Sequence, residues 1–496
     1  MGCDLGIKEY CYICMKHSIN TFTIMKTLNS KLLVGATVLV LLIVAFVMCN
    51  STSQQKSDRL PAENYRNFCA GCHGDNLEKF VDKVWMDEKG TVSVEKSIKD
   101  GIIEMGMPAF SKTFSDLEIK ALAQYVKEGI PVYRELLKPS VHSDQVIVSE
   151  THSFVMDTVV MGLDVPWGLA FLPNGDLLIS ERSGTLHTFS DGKLSPPIAG
   201  LPPIMAFGQG GLLDLALHPD YDENSWIYMS YSALNTESEK VMGNTAIMRA
   251  RLQGNKLIDQ EVLYKGSPDT DRGQHFGSKL AFDGKGYLYF GIGERGQHFD
   301  FPQKLDNSNG KIHRIHDDGR IPADNPFVDT PGAIKSIYCY GNRNPQGNAF
   351  HPVTGELWET EHGPMGGDEL NLIKPGMNYG WPVISYGINY DGTTLTESTH
   401  KEGMEQPVMQ WTPSIAPCGM TFVTGDRFRN WENNILVGSL RFDYVERVVL
   451  EGQKVAHTEK LVEGIGRVRN VVMSPEGLIY IGLEQPGRIV RLVPIE

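Results

Sequence analysis

One motif recurs six times between Leu169 and Leu483, and it constrains the fold of this chain more than any other feature. Each copy is an apolar run, a turn holding Pro, Gly or Asp, and then an alternating strand. The copies read LAFLPNGDLLIS from Leu169, LALHPDYDENSWIYMSY from Leu215, LAFDGKGYLYFGIG from Leu280, AFHPVTGELWETE from Ala349, TFVTGDRFRNWENNILVGS from Thr421 and VVMSPEGLIYIGL from Val471. No copy can bury its own faces alone, so the set requires a closed radial array. A six-bladed β-propeller with four short strands per blade meets that requirement over residues 153–496. A β-sandwich is the competing all-β solution, and it leaves the sixfold recurrence unexplained. Phe154–Val160 and Arg488–Pro494 are strand-like and are expected to share one blade and close the ring.

The 51 glycines and 27 prolines agree with a turn-rich β architecture, and a chain of 496 residues implies more than one domain. A net charge of -14 argues against nucleic acid and suits a basic redox partner or a neutral small molecule. The eight cysteines form no disulfide framework; Cys339 and Cys418 stand alone and read as small buried hydrophobes.

Residues 1–50 read as an upstream extension plus an export signal or anchor. Met25-Lys26 resembles a natural start, and Leu32–Cys49 is an uncharged apolar run after Lys26 and Lys31. An uncleaved helix and a lipid on Cys49 are both compatible with it. Either places the remainder of the chain on the exported, periplasmic side of a membrane.

Residues 51–138 read as a small all-α domain. Tyr65, Phe68, Cys69 and Cys72 follow helical spacing, so one helix face is expected to carry both thiols. Cys69-Ala-Gly-Cys72-His73 is the c-type haem attachment signature: two thioethers clamp the vinyl groups and His73 reaches the iron. Zinc is the competing reading, but it would need two further ligands nearby. Met105 and Met107 are both candidates for the sixth iron ligand, with Met107 favoured because Pro108 fixes the turn beside it. This block resembles the class I cytochromes c. Ser115-Asp-Leu-Glu118 forms a capping box, and Ile119, Leu122, Ala123 and Val126 form the stripe of a closing helix that Gly129 and Pro131 are expected to end. Residues 139–152 read as a linker.

Tyr340–Trp381 concentrates a guanidinium, amides, turn carbonyls and paired carboxylates, which suits an anion held beside a hard cation. Here the chain resembles the soluble quinoprotein aldose/sugar dehydrogenases, propellers that hold pyrroloquinoline quinone (PQQ) and calcium. The likeness runs through PWGLAFLPNGDLL, GQGGLLDLALHPDY, QHFGSKLAF, GNRNPQGNAF, EHGPMGGDELNLI and NYGWPVISYG. It implies that His275 is the catalytic base. Some family members carry an aspartate just before this histidine, where this chain has Gln274. The resemblance also implies that Arg343 and Asn344 bind PQQ, with Gln346 assisting, and that Arg343 stabilises charge developing on the quinone. Arg467 and Arg469 would form a second cofactor pair, Gln209 would stand at the rim, and Arg441 near the place of a family lysine. The carbonyls of Gly363 and Pro364 would hold the calcium on PQQ. Asp368, Glu369 and the Tyr379 carbonyl would hold a further, structural calcium. Trp381 and Trp411 belong either to a sugar pocket or to the core.

The expected function is oxidation of an aldose at its anomeric hydroxyl with PQQ and calcium. Electrons would leave through haem c to a respiratory cytochrome or the quinone pool. A calcium-dependent lactonase and a non-catalytic sugar-binding propeller on an electron carrier are the rival readings.

Overall fold

The structure is a computed structural model that describes residues 60–75, 77, 80, 93–136, 145–296 and 298–495. The expected anchor therefore lies outside the described residues. Among the described residues no helix is long and apolar enough to cross a membrane.

Six antiparallel sheets make the β region, five of four strands and one of five. The inner strands are Pro166–Phe171, Leu212–Leu217, Leu280–Phe282, Pro345–Phe350, Pro417–Phe422 and Val468–Met473, so each repeat opens on the innermost strand of its blade. Ser153–Leu163 pairs with Gly487–Pro494, in register from Phe154–Pro494 to Leu163–Gly487, which closes the ring as the end segments suggested. Ile147–Val148, inside the stretch read as linker, adds the fifth strand of that sheet.

Six of the propeller's apolar clusters each lie between two successive blades. One joins Tyr228 and Ile247 to Leu288, Phe290 and Ile315; another joins Phe428, Trp431 and Leu436 to Val471, Ile481 and Val490. The other four repeat the pattern around the ring. Burial of each large apolar side chain contributes about 1.5–3 kcal/mol. That stabilisation exists only when the neighbouring blade is present, which is why the motif must recur.

The helical domain has its own core of Tyr65, Phe80, Ile98, Phe110, Phe114, Leu122 and their neighbours. Helix α1, Pro61–Phe68, bends at Cys69 and resumes as α2, Ala70–His73, so the thiols do not share one regular helix face. The bonds Cys69 N–Tyr65 O and His73 N–Cys69 O carry the turn through the bend. Helix α3 is Val94–Asp100 and α4 is Asp116–Leu136. The capping box forms as expected: Ser115 N donates to Glu118 Oε2 at 2.8 Å, and Glu118 N to Ser115 Oγ at 3.3 Å. Helix α4 does not stop at Gly129-Ile-Pro131 but runs on to Leu136. Pro131 is exposed, so water can satisfy the carbonyl that its ring deprives of a partner.

Candidate active site

The inner strands all begin at one end of the ring, and the turns after the second strands return there. The site is assembled from these two sets of loops. A cavity of about 80 Å³ is lined by Arg182, Arg343, Arg441, Arg467 and Arg469 together with Trp167, Asn344, Gln346 and the Gly363-Pro364 turn. It adjoins a wider cavity of about 180 Å³. Gln209, His275, Arg343, Pro364, Tyr390 and Cys72 face both.

The second strand of four blades ends in a glutamate: Glu181, Glu361 and Glu484 at the last position and Glu294 just beyond it. Each braces the loop that feeds the inner strand of its own blade. Glu294 Oε1 lies 2.5 Å from His275 Nδ1. Glu361 accepts the amides of Arg343 and Asn344. Glu484 binds both Arg467 and Arg469, which therefore do converge as their i, i+2 spacing requires. Glu181 accepts the amide of Asp164 at 2.6 Å.

His275 is buried with φ +54, a left-handed conformation that costs about 1–3 kcal/mol for such a residue and needs support. Gln209 Oε1 accepts its amide at 2.9 Å, and Arg295 donates to the carbonyls of Arg272 and Gln274 just before it. Gly208 must be glycine here, because a Cβ would run into the carbonyl of Gly273. Burial first, then Arg343, holds the imidazole below its ordinary value, against the pull of Glu294. Burial opposes ionisation of Glu294, but His275 outweighs it and keeps that carboxyl below the usual range. The Glu294 carboxylate keeps the proton on Nδ1, so Nε2 is left as an acceptor. The carboxylate support that Gln274 cannot give is thus supplied from the next turn of the same blade.

Among the described residues, three of the five arginines, Arg182, Arg343 and Arg441, form no ion pair. Arg343 Nη1 donates to the carbonyls of His362 and Gly363 at 2.9 and 2.8 Å, and its Cζ lies 5.1 Å from the centre of the Trp381 ring. Arg441 donates to the carbonyls of Ser414 and Arg66. The Nε atoms of Arg343 and Arg441 are buried without partners, and Arg182 is nearly buried beside them. Arg469 stacks on Trp167 at 4.0 Å and touches Cys418 Sγ. Asn344 and Gln346 line the cavity and bond to Gly277 as well.

Asp368 and Glu369 point apart, as neighbours on a strand must. Asp368 accepts from Gly363 N, Ser414 Oγ and Ala416 N, bracing the Gly363-Pro364 turn, and burial pushes its carboxyl up to about 6. Glu369 instead gathers with Glu359 and Glu361 around Asn371 Nδ2, at 3.2, 3.1 and 3.5 Å. Burial, then Glu361, drives Glu369 well up. A space of about 10 Å³ beside Glu361 and Glu369 is walled by Tyr379, Trp381 and Ser385. That is room for about one water or ion. Trp381 faces the wider cavity, whereas Trp411 is a core residue whose Nε1 donates to Glu446.

The helical domain docks on the same mouth. Gly273 N donates to Glu104 O at 2.8 Å, Arg441 Nη2 to Arg66 O at 3.1 Å and Thr113 Oγ1 to Asp391 O at 3.3 Å. Cys69 and Cys72 are both free thiols, and His73 stacks on Phe80 at 4.4 Å. Met107 packs against the helical core, while Met105 is 41% exposed.

Glu294, Glu361, Arg182 and Tyr390 had not been singled out in the sequence. The glutamates were there to find: one closes the copy from Ala349, and three immediately follow the copies from Leu169, Leu280 and Val471. Burial pushes the Tyr390 phenol up to about 12, so it remains a neutral donor beside Arg343.

Residues 163–491 match the profile of the glucose/sorbosone dehydrogenases. The chain belongs to that family. Residues 57–126 match the cytochrome c oxidase, cbb3-type, subunit III family, so the sugar-dehydrogenase-like propeller carries a cytochrome c domain. Aldose sugar dehydrogenase YliI of Escherichia coli is 41% identical over 340 residues, covering 67% of this chain and 91% of its own. Quinoprotein glucose dehydrogenase B of Acinetobacter calcoaceticus is 27% identical over 426 residues, 69% of this chain and 88% of that one. The solved aldose sugar dehydrogenase of Streptomyces coelicolor, in its PQQ-bound form, superposes with a TM-score of 0.57 at 29% identity, covering 69% of this chain and 98% of that chain. The relatives make this propeller an oxidoreductase of the sugar dehydrogenase type.

Proposed function

We propose that this protein is a quinohaemoprotein that oxidises an aldose to its lactone, using PQQ and calcium in the propeller and haem c in the helical domain. One observation carries the reading: three arginines that form no ion pair among the described residues converge on one cavity, and two of them, Arg343 and Arg441, are buried with an orphaned Nε. Buried cations of this kind are strongly unfavourable unless an anion completes them, and PQQ brings three carboxylates.

Arg182, Arg343 and Arg441 would meet those carboxylates, with Asn344, Gln346, Arg467 and Arg469 completing the cradle. When bound, PQQ supplies a two-electron oxidant, calcium a Lewis acid, and haem c a one-electron acceptor. The Gly363 carbonyl already faces a cation, Arg343 Nη1, which fits its expected role with Pro364 toward calcium. Glu369, with Glu361 and the Tyr379 carbonyl beside the small space, fits a second calcium, since an ion would offset carboxylates that burial and mutual repulsion disfavour. Asp368 acts there by holding the turn. His275 Nε2 takes the proton of the anomeric hydroxyl, Glu294 steadies the imidazolium that results, and Trp381 walls the sugar. The sugar loses two electrons and two protons in becoming a lactone. Cys69 and Cys72 would hold the haem, with His73 and Met107 on its iron. The apolar segment Leu32–Cys49 supports an anchored, exported protein that hands electrons to a respiratory cytochrome or the quinone pool.

The test is reconstitution of the full chain with PQQ and calcium, followed by glucose and a dye acceptor while the haem spectrum is watched. Dye reduction and haem reduction are expected. Lactone hydrolysis without dye reduction by any aldose would favour a lactonase, and haem reduction by sugar in His275→Ala at the wild-type rate would leave a mere binding module.

A further inference from the structure

The wider cavity is not made by the propeller alone. Its propeller side includes His275, Arg343, Phe299 and Trp381; its other side is Cys72, Ile103, Gly106, Met107 and Pro108 of the helical domain. That second side is a tight loop, closed by the pairing of Ile102 with Met107 and by Gly106 at φ +85. Two contacts seat it on the base loop. The Glu104 carbonyl accepts the amide of Gly273, two residues before His275. The Gln274 side chain lies between Gly106 of the helical domain and Gly296 of the propeller, and a Cβ on Gly106 would come 2.6 Å from its Oε1.

We infer that the loop Ile102–Pro108 is a wall of the propeller's substrate cavity and sets the size of the sugar admitted. The inference rests on the reading that this cavity takes a sugar. A volume of about 180 Å³ corresponds to about six waters of about 30 Å³ each, the bulk of one sugar ring. A second ring must pass Ile103, whose side chain is 48% exposed and can be changed without opening a core. The E. coli aldose sugar dehydrogenase structure is matched over 100% of its own chain by 69% of this one, so this wall lies outside what the propellers share.

Two arms test the wall on the full, haem-loaded chain. In the first, PQQ and calcium are added, a dye takes the electrons, and kcat/KM is compared for glucose and maltose. Ile103→Ala should raise the maltose-to-glucose ratio about tenfold and Ile103→Trp should lower it about tenfold, both with an unaltered haem spectrum. A ratio that neither variant moves overturns the inference. The second arm needs no PQQ and follows hydrogen exchange at the Gly273 amide. Slow exchange is expected in the wild type, and at least tenfold faster exchange in Gly106→Ala. Wild-type exchange as fast as an exposed loop, or no response to Gly106→Ala, overturns the docking. Inactivity of the wild type toward every aldose would defeat the sugar reading instead, while the exchange arm still decides the wall.

Discussion

Glu294 and Glu484 stand at the mouth ends of the second strands of their blades, yet one meets an imidazole and the other two guanidiniums. On the Glu294 side, one carboxylate orients one ring whose proton affinity burial keeps low, and the result is a buried imidazole with a fixed tautomer and Nε2 left as an acceptor. On the Glu484 side, a single negative charge is divided between two positive ones, and the surplus is a cradle for an anion. The propeller supplies the same carboxylate in both places. The residue on the feeding loop decides whether the pair becomes an oriented imidazole or a positively charged cradle. Glu361 shows a third outcome, in which backbone amides take the carboxylate and only the loop is fixed.

The contrast can be broken at either end, and the base is the sharper place. His275→Ala should lower kcat by about a thousandfold, within the usual range for a general base, with PQQ affinity little changed in a titration. Glu484→Gln should leave two buried arginines without their carboxylate and cost about 3 kcal/mol, seen as a fall in Tm of the full chain. Glu294→Gln should cost tens-fold in kcat/KM, and its pH profile tells orientation from packing. Because Glu294 raises the imidazole while burial and Arg343 lower it, its loss moves the acid limb of kcat/KM to lower pH even as the rate falls. An acid limb that moves upward would contradict the assignment of the Nδ1 proton. Arg441→Ala, on the cradle side, should weaken PQQ about tenfold by equilibrium dialysis without moving that limb.

Much of this was legible in the sequence because the six repeats carry their own period. Alternation, turns and the two end strands specify blades and closure before any contact is known. The cytochrome signature is equally local, since covalent attachment demands its spacing. What escaped was whatever depends on two segments meeting. Asp368 and Glu369 read as a pair, and strand alternation separates them. Glu294 was passed over because the copy from Leu280 ends at Gly293, one position short of it. The docking of the helical domain leaves almost no trace in residue types, because its central bond joins the backbone of Glu104 to the backbone of Gly273. Pro131 marked a helix end by rule, but on a solvent face the rule is weak.

The pairing of Ser153–Leu163 with Gly487–Pro494 also fixes an order of events. Five blades are continuous in sequence and can assemble as they emerge, each against the one before. The sixth cannot, since its outer strand precedes all the others and must wait for its partner. Closing so long a loop is entropically slow compared with local hairpins. The propeller therefore matures at a single seam. Until that seam closes, the face of the first blade that packs against Tyr480 and Ile489 stays open to water. A truncation in the last strand should thus yield a soluble haem domain attached to a ring that aggregates, while a deletion confined to Ile147–Val148 should be tolerated.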